Sequence, residues 1–147
     1  MVEARFPNEV IQSVIRELKS IPDDVASWRE EEGREEYRVI VEPKDEDRCK
    51  FWLGFGTYGT YGLCFGHGLA FEDLRVDEFP PAQVVQSILA GRVSESVWEI
   101  AGGIAKAQGR ITMGDGRQLE DIAWHFPALP PFAKRRDISY RAYSQKA

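Results

Sequence analysis

The chain has 147 residues, of which 43% are hydrophobic and 12% aromatic, and its formal net charge is −5. This length and apolar content predict one domain with its own core and exclude a disordered chain. No uninterrupted apolar run reaches the roughly 18 residues of a membrane span, and two cysteines are too few for a disulfide framework, so we predict a cytoplasmic protein without a membrane partner.

Two amphipathic helices are predicted. The first covers residues 8–20, where apolar residues recur with the helical period and Asn8 suits the N-cap. The second covers residues 79–91, which open with prolines, repeat apolar residues at helical spacing and close on Gly91. Each helix is expected to bury one face.

The segment between the helices is predicted to be mostly β-structure. Residues 23–36 are dominated by charge and predict an acidic connection with room only for a short helical turn around Trp28. Strands are expected at 37–42, in a hairpin over 51–66, and at 69–71, because these runs are rich in β-branched and aromatic residues.

The region after the second helix is ambiguous, since residues 95–108 fit a helix as well as strands. Gly102 and Gly103 would cost a helix about 2 kcal/mol relative to alanine, which favours strands. Asp115-Gly116 between two β-compatible runs predicts a hairpin turn.

These elements predict an α+β domain with two amphipathic helices and an antiparallel sheet of five to six strands. The domain is expected to cover residues 1–133. Residues 134–147 are interpreted as a basic C-terminal tail with room for a final strand at 138–143.

A G-x-G-x-x-G pattern occurs at Gly54, Gly56 and Gly59. A dinucleotide site requires a helix after this pattern, but residues 60–65 are strand-like, so no nucleotide or other cofactor is predicted. If the hairpin registers match, one face is apolar and the other carries glycines with Trp52 and Cys64. Such a bare face predicts a closely packed helix, ligand or partner, a helix being the commonest.

Catalytic residues and metal ligands are not predicted. Cys64 and His67 form a single tight pair, too few for a zinc site, and strand residues three apart point to opposite faces. Glu120 and Asp121 are adjacent and also diverge in a strand. The apolar residues of the segment 124–132 are expected to cover the core.

Charge is distributed unevenly along the chain. Residues 1–80 carry 10 Lys and Arg against 18 Asp and Glu, a net charge of −8, whereas residues 81–147 carry 9 against 6, a net charge of +3. An acidic front half repels nucleic acid and suits a basic protein partner. The predicted binding residues are five glutamates and three aromatic anchors: Glu30, Glu31, Glu32, Glu35, Glu36, Trp28, Trp52 and Tyr58.

The sequence therefore favours a non-enzymatic protein-binding domain, of the immunity or inhibitor type, that neutralises a basic partner. The alternative is a small enzyme or small-ligand-binding domain with its site over the glycine-rich hairpin 53–68. The sequence does not specify an oligomeric state.

Overall fold

A computed structural model describes residues 6–57 and 59–144, which form two helices and nine strands in an α+β fold. The five strands of sheet A follow one another in space as in sequence: β1 (Ala26–Glu32), β2 (Tyr37–Pro43), β3 (Phe51–Phe55), β4 (Thr60–Phe65) and β5 (Leu69–Arg75). The four strands of sheet B have the order β8-β7-β6-β9: β6 (Val93–Ile100), β7 (Gly103–Thr112), β8 (Gln118–Trp124) and β9 (Lys134–Ser139).

The predicted fold class is confirmed, because every strand pair is antiparallel and the helices are two. The strand count is corrected, since the described residues form two sheets rather than one sheet of five to six strands. None of the described helices combines the length and the hydropathy needed to cross a bilayer.

Both helices form where periodicity predicts them. α1 (Asn8–Leu18) and α2 (Pro81–Leu89) bury their apolar faces in the common core and pack against each other. Gly91 follows the second helix with φ of +78°, a left-handed conformation that glycine adopts without a steric penalty. The predicted C-terminal glycine is thereby confirmed.

The acidic connection predicted over 23–36 is wrong, because Ala26–Glu32 forms the edge strand β1. An edge strand needs a neighbour on one side only and tolerates charged side chains along most of its length. The apolar alternation by which strands are recognised is consequently absent from this segment, whose last four residues are all exposed.

The core lies between the inner faces of the two sheets and the two helices. In the central hairpin the sequence left the register open, and the structure places Phe51 opposite Phe65 and Leu53 opposite Leu63, which puts the apolar residues on one face. These side chains are buried. Gly109 of β7 meets Phe65 and Leu69, so a glycine lets sheet B approach sheet A closely.

The other face of the hairpin is not covered as predicted. A Cβ on Gly54 would meet the Glu36 carboxyl group, and a Cβ on Gly56 would have nothing within 4 Å. A helix was expected against this bare face, but the described structure places the Glu36 side chain there. This outer face of sheet A is half exposed.

The ambiguity over residues 95–108 is resolved in favour of strands. Ala101 and Gly102 form the turn between β6 and β7, Gly103 begins β7, and the Asp115-Gly116 hairpin turn lies between β7 and β8. The basic segment from Lys134 enters the sheet as β9, which pairs with β6. The final strand therefore covers Lys134–Ser139 instead of the predicted 138–143.

Candidate functional site

The predicted acidic residues gather on the hairpin formed by β1 and β2. Glu30, Glu31, Glu32 and Glu35 are exposed, and Glu36 is half-buried. Residues 28–38 hold five glutamates against three arginines, so the hairpin carries a net charge of −2. The arginines moderate this charge and do not cancel it.

Several of these glutamates are held in place by neighbours. Arg29 bridges Glu31 and Glu42 at 3.1 Å each, and Arg38 pairs with Glu36. The Tyr37 hydroxyl donates a 2.5 Å hydrogen bond to Glu30, and burial together with this acceptor raises the pKa of Tyr37 to about 12. The hairpin is therefore an ordered acidic surface.

The two predicted tryptophan anchors lie on opposite faces of sheet A. Trp28 is paired with Val41 and packs partly against the core, so it lies on the inner face of sheet A, as Val41 does. Trp52 is paired with Ile40 on the outer face, where the Arg38 guanidinium lies 4.5 Å from its ring centre. Tyr58 lies outside the described residues.

A cavity of about 360 Å³ opens beside Trp52. Ile40 and Cys64 contribute apolar surface to it, and Glu42 and Lys50 contribute charge. Glu31 lies on the outer face because it alternates with the core-side residues of β1, and the Glu36 carboxyl group lies on the same face against Gly54. This outer face thus combines carboxylates, one aromatic ring and a shallow cavity.

The two cysteines are not activated nucleophiles. Burial raises the pKa of Cys49 to about 12 and also raises the pKa of Cys64. Cys64 is half-buried on the outer face of β4, whereas His67 lies in the following turn and contacts a different partner. The structure does not bring this thiol and imidazole together.

His67 instead contacts Glu95, a buried carboxylate on β6. His67 Nδ1 lies 2.9 Å from Glu95 Oε1, and the His67 backbone N–H donates to Oε2 at 2.9 Å. The Tyr140 hydroxyl donates to Oε1 at 2.5 Å. Burial raises the pKa of Glu95, but the hydrogen bonds from His67 and Tyr140 outweigh it and hold that pKa below its ordinary value. The carboxylate is thus ionised, and Nδ1 carries the proton that it shares with Oε1.

This cluster borders a second cavity, of about 580 Å³. His67 and Tyr140 line it together with Lys44, Lys50 and Arg136. About a third of the His67 side chain is exposed, and within residues 6–57 and 59–144 no hydrogen bond engages Nε2. The arrangement is an imidazole oriented by a buried carboxylate, with one ring nitrogen available for a ligand or a proton.

Glu95 was not singled out from the sequence, although a signal exists. In Val93-Ser-Glu-Ser-Val97 the strand alternation places Glu95 on the same side as the two buried valines. A carboxylate at an inward position requires partners, which identifies it as a residue of interest. The ambiguity between helix and strand concealed this alternation.

The segment 124–132 does not cover the core, contrary to expectation. Its large apolar side chains and that of the nearby Ile122 are exposed: Ile122, Trp124, Phe126, Leu129 and Phe132. We call these five residues the aromatic end of sheet B. Lys106 lies 4.5 Å from the ring centres of both Trp98 and Trp124.

The described residues contain no group of three or more His, Cys, Asp or Glu arranged to hold a metal ion. The chain matches no protein-family model, and no curated protein or solved structure is significantly similar to it.

Proposed function

We propose that this chain is a non-enzymatic protein-binding domain that recognises a basic partner through the β1–β2 hairpin and the outer face of sheet A. The observation that carries the proposal is the convergence of Glu31, Glu36 and Glu42 with Trp52 and its cavity on one open face. Carboxylates steer a cationic partner, and an aromatic side chain beside a cavity supplies the affinity of a small number of central contacts.

The edge position of β1 adds a second means of recognition. In the described part of the chain, the backbone of β1 pairs only with β2 and with the turns at its ends. The outward N–H and C=O groups of Ser27–Glu32 can therefore accept an additional strand. A strand carrying Lys or Arg would place these cations opposite the glutamates of β1.

A stoichiometric inhibitor of a basic protein, such as an immunity protein that neutralises a toxin, has this surface chemistry. The acidic hairpin would cover the cationic surface of the partner, and the Trp52 side chain would be buried at the centre of the interface. Such a role requires no catalytic group of the chain.

The test combines capture of partners from extracts of the source cell with association kinetics. The triple substitution Glu30→Gln, Glu31→Gln, Glu32→Gln is expected to reduce the association rate about tenfold at low ionic strength, since charge complementarity acts mainly on encounter. The matched control is Glu9→Gln, Glu78→Gln, Asp115→Asn, which removes the same charge from exposed positions outside sheet A. An equal effect of both variants, or an acidic partner, would contradict the proposal.

A second candidate function, a small-ligand site beside the hairpin 53–68, is favoured by the Glu95–His67 pair. The expected result is a ligand-dependent shift of the His67 ring resonance in NMR spectra when small carboxylates and amines are added. His125, the other histidine of the chain, provides an internal control. A His67 resonance that is unchanged by millimolar amounts of every compound would exclude this site for those classes.

A further inference from the structure

The aromatic end of sheet B exposes an unusual amount of apolar surface. All five of its side chains are more than a third exposed, and Phe132 reaches 70%. They fall within eleven consecutive residues, at the end of β8 and in the segment that follows. Exposed apolar surface concentrated in one short segment in this way indicates a binding site.

The strand register places this surface at one end of the sheet. Trp124, Lys106, Trp98 and Arg135 are neighbours on four adjacent strands and form a row across sheet B. Residues 125–133 connect β8 to β9 at the same end, where His125 N–H donates to the Ala105 carbonyl at 2.8 Å. The apolar side chains of the connection and the row of alternating aromatic and cationic side chains therefore lie together.

Cations lie beside the apolar side chains. Arg135 of the row pairs with Asp137. Among the described residues, no ion pair engages Lys106 or Lys134. Lys106, Arg135 and Lys134 thus stand against one carboxylate, Asp137, because Arg136 and Glu99 pair with each other and Arg136 lines the cavity beside His67. The balance is positive in a chain whose net charge is −5.

The charge of this surface indicates whether a second copy, a protein partner or a lipid surface binds there. A second copy docked symmetrically would bring the same cations against each other, which disfavours self-association. The five exposed apolar side chains do not line any of the four cavities described in the structure. Lysine is also depleted in protein interfaces.

We infer that the aromatic end of sheet B binds an anionic lipid surface peripherally. Phe126, Leu129 and Phe132 would enter the boundary between headgroups and acyl chains, and the tryptophans would lie at headgroup level. Lys106 and Lys134 would contact anionic headgroups. At physiological ionic strength the screening length is about 8 Å, so these nearby cations act more strongly than the distant acidic hairpin.

The sequence analysis predicted no membrane partner because the chain lacks an apolar run long enough to span a bilayer. Peripheral binding needs no span. It is also independent of the proposed binding of a basic protein, because it involves other residues on the other sheet.

The experiment is co-sedimentation of the full chain with vesicles of phosphatidylserine and phosphatidylcholine in equal amounts, with tryptophan emission recorded in parallel. We expect binding with a blue shift of the emission. Phe132→Ala is expected to weaken partitioning at least about tenfold, because a buried phenylalanine side chain contributes that much. Lys106→Gln and Lys134→Gln are expected to weaken it roughly fivefold each.

Phe79→Ala is the matched control, since it removes an aromatic side chain that belongs to neither proposed surface and should leave vesicle binding unchanged. Circular dichroism of each variant establishes that it is folded. No binding to the anionic vesicles, or equal binding to vesicles of phosphatidylcholine alone, would overturn the inference. Self-association of the wild-type chain that Phe132→Ala abolishes would also overturn it, and would identify an oligomer interface instead.

Discussion

Replacing Glu95 with alanine is expected to lower the free energy of unfolding by about 3 kcal/mol. The Glu95 side chain is fully buried and accepts three hydrogen bonds, two from His67 and one from Tyr140. Its removal leaves the Tyr140 hydroxyl and the His67 backbone N–H without their acceptor. Urea unfolding at neutral pH measures the loss.

The pH dependence of this stabilisation has a definite sign. The pKa of Glu95 is lower in the folded chain than its ordinary value of 4.5. A carboxyl group with a depressed folded pKa contributes stability that is fully present above the unfolded pKa and disappears as the pH falls through the folded pKa. The stability difference between the wild-type chain and Glu95→Gln should therefore shrink below about pH 4.5.

Glu99→Gln is the control for this prediction. Glu99 lies on the same strand, but it is exposed and pairs with Arg136 at the surface. Exposed ion pairs contribute about 1 kcal/mol or less, so this substitution should have little effect. Equal losses in the Glu95 and Glu99 variants would show that the buried cluster does not stabilise the fold.

Gly91→Ala is expected to destabilise the fold by about 3 kcal/mol, for two reasons that add. Gly91 has a φ of +78°, which an L-residue adopts only with strain. A Cβ at this position would also lie 2.7 Å from the backbone nitrogen of Ala142. That backbone cannot easily move away, because Tyr140 and Tyr143 donate backbone hydrogen bonds to Val93 and Leu89.

Gly116→Ala separates the two contributions. Gly116 has a similar φ of +91°, but a Cβ there would have nothing within 4 Å. Only the conformational strain remains, so the expected loss is about 1 kcal/mol. Thermal unfolding of both variants checks the prediction. Equal melting temperatures of the Gly91→Ala and Gly116→Ala variants would show that the contact between the Cβ and the Ala142 backbone costs no stability.

The parts of the fold that were predicted correctly are those in which burial imposes a period on the sequence. α1, α2 and the central hairpin all bury one face, and their apolar residues recur at the spacing of that face. β1 was missed because an edge strand buries little of its surface. Division of the strands into two sheets depends on contacts such as Gly109 against Leu69, which no local pattern reveals.

The candidate sites were predictable only in part. The acidic hairpin is visible in the sequence because its glutamates are neighbours along the chain. The Glu95–His67 pair joins residues 28 positions apart, so no local pattern reveals it. Trp28 and Trp52 lie on opposite faces of sheet A, which could not be predicted because β1 was not recognised as a strand. The apolar residues of the segment 124–132 were expected to cover the core, because apolar content alone does not distinguish a buried segment from an exposed one.

The most direct test of the proposed binding function is amide hydrogen exchange of the chain, free and in complex with the captured partner. We expect slower exchange on binding at the backbone amides of β1, at positions 27–32, and around Trp52. Slower exchange confined to the aromatic end of sheet B or to the cavity beside His67, with β1 unchanged, would contradict it.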